Sequence, residues 1–138
     1  MRRAAFISLL LAGLVVAGCR ADGPLSKESF QKDTRSIQSL AAEGALVADG
    51  AADGTTTEYF VRVHSQYLEI AARKLETKLA SARASGRLDD DRAKAVRLAG
   101  GVAAELGELH RAPGDRGLAR RLTRRLGDEA EAAEKLAK

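Results

Sequence analysis

The 138-residue chain holds one cysteine, one methionine, two prolines and no tryptophan, and aromatic side chains make up 4% of it. A single cysteine excludes an intrachain disulfide framework and any cysteine-rich zinc or iron–sulfur centre. So few aromatics leave little with which to stack bases or sugars. The sequence contains no Gly-x-Ser-x-Gly elbow and no phosphate-cradling glycine-rich loop, so no enzymatic activity is expected from its motifs. No stretch alternates apolar and polar residues at period two, which argues against a sheet. What is present is a 45% apolar content, enough for a core and against a disordered chain, at a length that suits one domain.

The amino terminus is patterned differently from the rest. Arg2 and Arg3 are followed by an uncharged, mostly apolar run of 15 residues, Ala4 to Gly18. A membrane span needs about 20 such residues, so the run is too short for one. A basic start, a short apolar stretch and a small-residue exit are the marks of an export signal. The exit, Val16-Ala17-Gly18-Cys19, resembles the lipobox of bacterial lipoproteins. That resemblance covers residues 1–19 and carries no information about the fold beyond them. It implies that Cys19 receives a diacylglyceryl group on its thiol, that the signal is cut between Gly18 and Cys19, and that the new amino terminus is acylated, with palmitate among the expected chains. Acyl chains hold a protein at a bilayer because each buried CH2 contributes about 0.8 kcal/mol. The resemblance also implies a location: Arg20, rather than Asp, follows Cys19, which in a diderm bacterium points to the outer membrane, facing the periplasm.

Removing residues 1–18 removes Arg2 and Arg3 and lowers the net charge from +4 to +2. A nucleic-acid partner is therefore not expected. Residues 19–25 would form a lipidated tether and residues 26–138 the folded domain.

From Ser26 onward the apolar residues recur at helical spacing. Phe30, Ile37, Leu40, Gly44 and Val47 mark a first helix, expected to end near Asp49-Gly50. Thr55 and Glu58 read as a capping box for a second, with Phe60, His64, Leu68, Ala71, Leu75 and Leu79 along its inner side and a stop near Ser85-Gly86. A third helix is expected to begin at Asp89 or Asp90 and to carry Val96, Ala99, Val102, Leu106 and Leu109. Ala112-Pro113-Gly114 ends it, and Asp115 caps a fourth with Leu118, Leu122, Leu126, Ala130 and Ala133 inside. Short connections between amphipathic helices predict an all-α, up-and-down antiparallel bundle of about four helices. Gly100-Gly101 falls inside the third pattern, where glycine costs about 1 kcal/mol relative to alanine, so close packing or a kink is expected there.

Three constellations are candidates for function. His64 and His110 lie at similar distances from the connection between helices two and three, which places them at about one level, as a candidate metal, haem or small-molecule site with Glu105 and Glu108 nearby. No Glu-x-x-His and no Cys-x-x-Cys-His accompanies them, so no cofactor is assigned. Arg116, Arg120, Arg121, Arg124 and Arg125 share an arc of helix four, a candidate surface for anionic lipid, phosphate or an acidic envelope polymer. Asp128 and Glu129 stand four residues beyond Arg124 and Arg125, in position for helix ion pairs. Asp89-Asp90-Asp91 lacks the spacing of a calcium loop and reads as a helix start. The expectation is a small membrane-anchored lipoprotein of the cell envelope with a structural or interaction role, its partner another envelope protein or an anionic polymer. The alternative is a ligand-binding bundle built around His64 and His110.

Overall fold

The first, second and fourth helices each start where a side chain satisfies a free backbone N–H group, and the third starts after Gly86 without such a cap. In a computed structural model, which describes residues 23–138, Ser26 caps α1 (Lys27–Asp53) by accepting a hydrogen bond from the Ser29 N–H at 3.1 Å. Helix α1 passes through Asp49-Gly50, where the sequence suggests a stop, and ends at Gly54, whose φ of +73° few other residues adopt. Gly50 has a packing role instead: a Cβ there would meet the Thr56 side chain at 2.8 Å, so glycine lets the α1–α2 connection fold back on the helix.

Thr57, rather than Thr55, caps α2 (Glu58–Ser81) through the Phe60 N–H. Helix α2 stops short of Gly86, which takes a φ of +59° just before α3 (Arg87–Arg111). Helix α3 thus begins before the aspartate trio, and Asp89 and Asp91 are paired with Arg92 and Lys94 one turn on. Asp115 caps α4 (Arg116–Leu136) through the Leu118 N–H at 2.8 Å.

The four helices run up and down as an antiparallel bundle. Helix α1 packs most closely on α4 and α2 on α3, and the two pairs meet along looser α1/α2 and α3/α4 seams. Helix α1 also touches α3 across the centre, whereas α2 and α4 do not meet among the described residues. The core is aliphatic, with Ile37, Leu68, Leu79, Leu106, Leu109, Leu122 and Leu126 fully buried. Each such side chain contributes about 1.5–3 kcal/mol. Small residues decide how close the helices come: a Cβ on Gly44 would lie 2.7 Å from Leu106 and 3.3 Å from Leu126. Helix α3 runs unbroken through Gly100 and Gly101. They give room to carboxylates of the flanking helices, Glu76 beside Gly100 and Glu129 beside Gly101.

One contact fixes where the chain joins the bundle. The Leu25 N–H donates to the Arg83 carbonyl at 2.8 Å, pinning the segment before α1 to the α2–α3 turn. The bundle therefore has a near end, where the chain enters, and a far end, formed by the α1–α2 and α3–α4 connections. No described helix is long and apolar enough to cross a membrane.

Candidate functional site: an outward face of α2 and two bridged seams

Helix α2 is apolar on two sides. Its inner stripe is Val61, Ser65, Leu68, Ala72 and Leu79, one position around from the Phe60–His64–Ala71 stripe that residue size suggests. Ser65 enters the core because its hydroxyl donates to the Val61 carbonyl at 2.6 Å, leaving no unmet donor. The larger residues face outward: Tyr59 is 77% exposed and Tyr67 68%, with Phe60, Val63 and Ile70 about half exposed. At 100° per residue these five span roughly a quarter of the helix circumference. Leu46 of the neighbouring α1, 73% exposed, is also outward. A set of exposed apolar side chains on one helix face is a candidate interaction surface. Its signal was available in the sequence as a second apolar stripe on α2.

His64 belongs to this face. Its ring stacks on Phe60 with centroids 5.1 Å apart and planes 10° from parallel, and it lies 6.4 Å from the Tyr67 ring. Its Nε2 donates to Glu43 Oε1 of α1 at 2.7 Å. His110 reaches α2 two residues away, its Nδ1 donating to the Arg62 carbonyl at 3.1 Å. The two imidazoles thus meet neighbouring levels of α2 but are bonded to different partners. Among the described residues no three His, Cys, Asp or Glu side chains converge as a metal site.

No protein-family model, curated protein or solved structure matches this chain. The geometry alone carries the reading of the site.

The arginine arc divides by contact. The Arg116 guanidinium lies against Gly54, where a Cβ would be 2.5 Å from it. Arg125 Nε donates to Glu105 Oε1 of α3 at 2.9 Å, across the seam, and Glu129 is its second carboxylate neighbour. The pairs that helix spacing suggests, Arg124 with Asp128 and Arg125 with Glu129, are not among the described ion pairs. Arg120, Arg121 and Arg124 are exposed and have no described ion-pair partner.

Both looser seams are bridged by a buried carboxylate that sequence reasoning did not single out for that role. Across α1/α2, Lys78 Nζ meets Asp33 Oδ1 at 2.6 Å, with the Asp33 side chain 5% exposed. Across α3/α4, Glu105 is equally buried against Arg125. In each the second carboxylate oxygen, Asp33 Oδ2 or Glu105 Oε2, is buried without a hydrogen-bond partner. Burial pushes Glu105 up from 4.5 to about 7; Arg125 opposes this, and the negative charges of Glu129 and Glu108 add to it. Glu129 is raised as well, first by burial, against the pull of Arg125. Cys19, Gly18 and Arg20 lie outside the described residues.

Proposed function

We propose that the chain is a lipid-anchored cell-envelope protein whose bundle is a non-enzymatic docking module, and that the outward face of α2 receives another envelope protein. The exposed cluster of Tyr59, Phe60, Val63, Tyr67 and Ile70 is the observation that carries this reading. Tyrosine and phenylalanine surrounded by aliphatic side chains are the composition of protein interface centres, where aromatic anchors supply most of the binding energy. The placement supports the same partner class. Tyr59 stands about 33 Å along α2 from Ser81, at 1.5 Å per residue, and hence away from the end where the chain from Cys19 enters.

The anchor rests on the basic start, the apolar run and the Val16-Ala17-Gly18-Cys19 sequence. In a diderm cell Arg20 favours the outer membrane, with the bundle in the periplasm. Arg120, Arg121 and Arg124 lie on the far half of α4, a helix that does not touch α2, and suit an anionic envelope polymer rather than the partner of α2.

The test is site-specific photocrosslinking in intact cells, with the reactive residue at Val63 or Tyr67 and, as control, at Glu131 on α4. Positions 63 and 67 should yield one discrete adduct, identified by mass spectrometry as the same envelope protein and absent from the control. With the reactive residue at position 63, Tyr59→Ser/Tyr67→Ser should abolish it. Equal adducts from all three positions, or none from α2, would overturn the assignment.

A further inference from the structure

Three open grooves lie in the half of the bundle nearest the incoming chain, and their linings share one composition. The largest, about 770 Å³, runs between α1 and α2; its floor is Leu40, Ala71 and Leu75, and Lys32, Arg35 and Lys74 stand on its walls beside Glu28 as the lone acid. The second, about 470 Å³ between α3 and α4, has Leu98, Ala132 and Leu136 below Lys94, Arg97 and Lys135, again with one acid, Glu129. The third, about 380 Å³, sits at the near end itself, where Lys27, Arg87 and Lys138 flank Phe30, Leu88 and Leu136, with Asp91 the lone acid. All nine cations are exposed.

We propose that the α1/α2 groove binds an anionic glycerophospholipid, with one acyl chain along Leu40, Ala71 and Leu75 and the phosphate between Arg35 and Lys74. The register of the two helices supports this arrangement. Asp33–Lys78 and Glu43–His64 tie α1 to α2 at two heights, and antiparallel counting from either puts Arg35 and Lys74 at about one level on opposite walls. Ser36 and Ser39 donate to the Lys32 and Arg35 carbonyls of their own helix, so the anion-binding groups left on these walls are the three cations and the Gln31 amide. On α1 the lining extends from Glu28 to Leu40, about 18 Å at 1.5 Å per residue, a length that accommodates an extended acyl chain.

An apolar floor under a cationic rim favours an anionic amphiphile over a simple soluble anion, which gains nothing from the floor, and over a neutral lipid, which gains nothing from the rim. Leu25, pinned to Arg83, sets the entry of the chain at the same end of the molecule as the groove. The lipid's origin in that bilayer rests on the anchored reading above; the groove's preference for an anionic amphiphile does not.

The experiment uses the purified full chain in mixed micelles with phosphatidylglycerol carrying a diazirine on one acyl chain, or with the matching phosphatidylcholine. After illumination and proteolysis, mass spectrometry locates the label. Phosphatidylglycerol should label the peptides containing residues 28–40 and 71–75 at least about fivefold more than phosphatidylcholine, the ratio expected from one surface cation. Lys32→Glu/Arg35→Glu/Lys74→Glu should bring labelling to the phosphatidylcholine level. Ala71→Trp, which fills the floor and keeps every charge, should lower it too. Circular dichroism of both variants should show unchanged helicity, since the three cations are exposed. Equal labelling by the two lipids, labelling unmoved by the triple variant, label spread equally over Tyr59–Tyr67, or displacement by millimolar glycerol 3-phosphate would each overturn the proposal. The acyl mass on Cys19, read in the same sample, separates the two readings. A bare Cys19 with selective labelling defeats the anchor alone, and an acylated Cys19 without selectivity defeats the groove alone.

Discussion

The α1/α2 and α3/α4 seams solve one packing problem with one device, yet the device behaves differently in each. Both join helix pairs that are individually close-packed, and both cover a carboxylate, Asp33 or Glu105, with a cation from the next helix. At α1/α2 the pairing is one lysine to one aspartate, supplemented by the outer Glu43–His64 contact. At α3/α4 a single guanidinium serves Glu105 and Glu129, with Glu108 adding further negative charge near Glu105. The first is a fixed strut. The second is a proton-binding cluster, because carboxylates that share too little positive charge out of water take up protons. At Glu105 the loss of water is the first cause, Arg125 opposes it, and the neighbouring charges of Glu129 and Glu108 add to it.

The largest effect should come from breaking the strut. Lys78→Met leaves Asp33 enclosed with neither oxygen paired to a cation, and should cost about 3 kcal/mol at neutral pH, at the lower end for breaking a buried pair because Lys78 itself is half exposed. Urea denaturation measures it, and a loss below about 1 kcal/mol would show that water already reaches Asp33.

The α3/α4 cluster should reveal itself through pH. The folded-state pKa of Glu105, about 7, lies above its ordinary value of 4.5, so the folded protein holds the extra proton. The resulting stabilisation is complete below pH 4.5 and is lost as pH rises through 7. Between pH 5 and 8 the bundle should lose about 2 kcal/mol from this group. Glu105→Gln should remove most of that slope and be more stable than the parent at pH 8, leaving only the smaller contribution of Glu129, which has the same sign. A steep slope that survives the substitution would place the titrating group elsewhere.

The smallest effect belongs to the outer tie. In the His64–Glu43 pair both side chains are substantially exposed, and Glu43→Gln should cost less than about 1 kcal/mol. If it costs as much as Lys78→Met, then position along the seam, rather than burial, governs the strength of these ties.

The helix count, the connections and the Asp115 cap were legible because they follow from local spacing and capping chemistry. The boundaries at Gly50 and Gly86 were not: glycine permits a stop without requiring one, and a tertiary contact, Thr56 against Gly50, decides the first case. On α2 the inner stripe was right at Leu68 and Leu79 but displaced by one position at Phe60, His64 and Ala71, because Phe60 and Val61 are both apolar. Size favours Phe60 for the core, whereas the buried positions are filled by the smaller Val61, Ser65 and Ala72 on a helix that packs closely on α3. Asp33 stands three residues after Phe30 and four before Ile37, and Glu105 three after Val102 and four before Leu109. A lone acid on an apolar stripe was the available signal for both bridged seams. Which helix would supply the cation was not available, since Arg125 has an equally good local partner at Glu129 by spacing alone.

The hydrogen bond from Leu25 to Arg83 has a mechanical consequence. Tension applied to the chain ahead of α1 does not act on the first turn of α1 alone. It divides at Leu25, part entering α1 along its axis and part entering the α2–α3 turn from the side. Peeling α1 away one turn at a time is then opposed at the outset by the hydrogen bond that ties its leading segment to the α2–α3 turn.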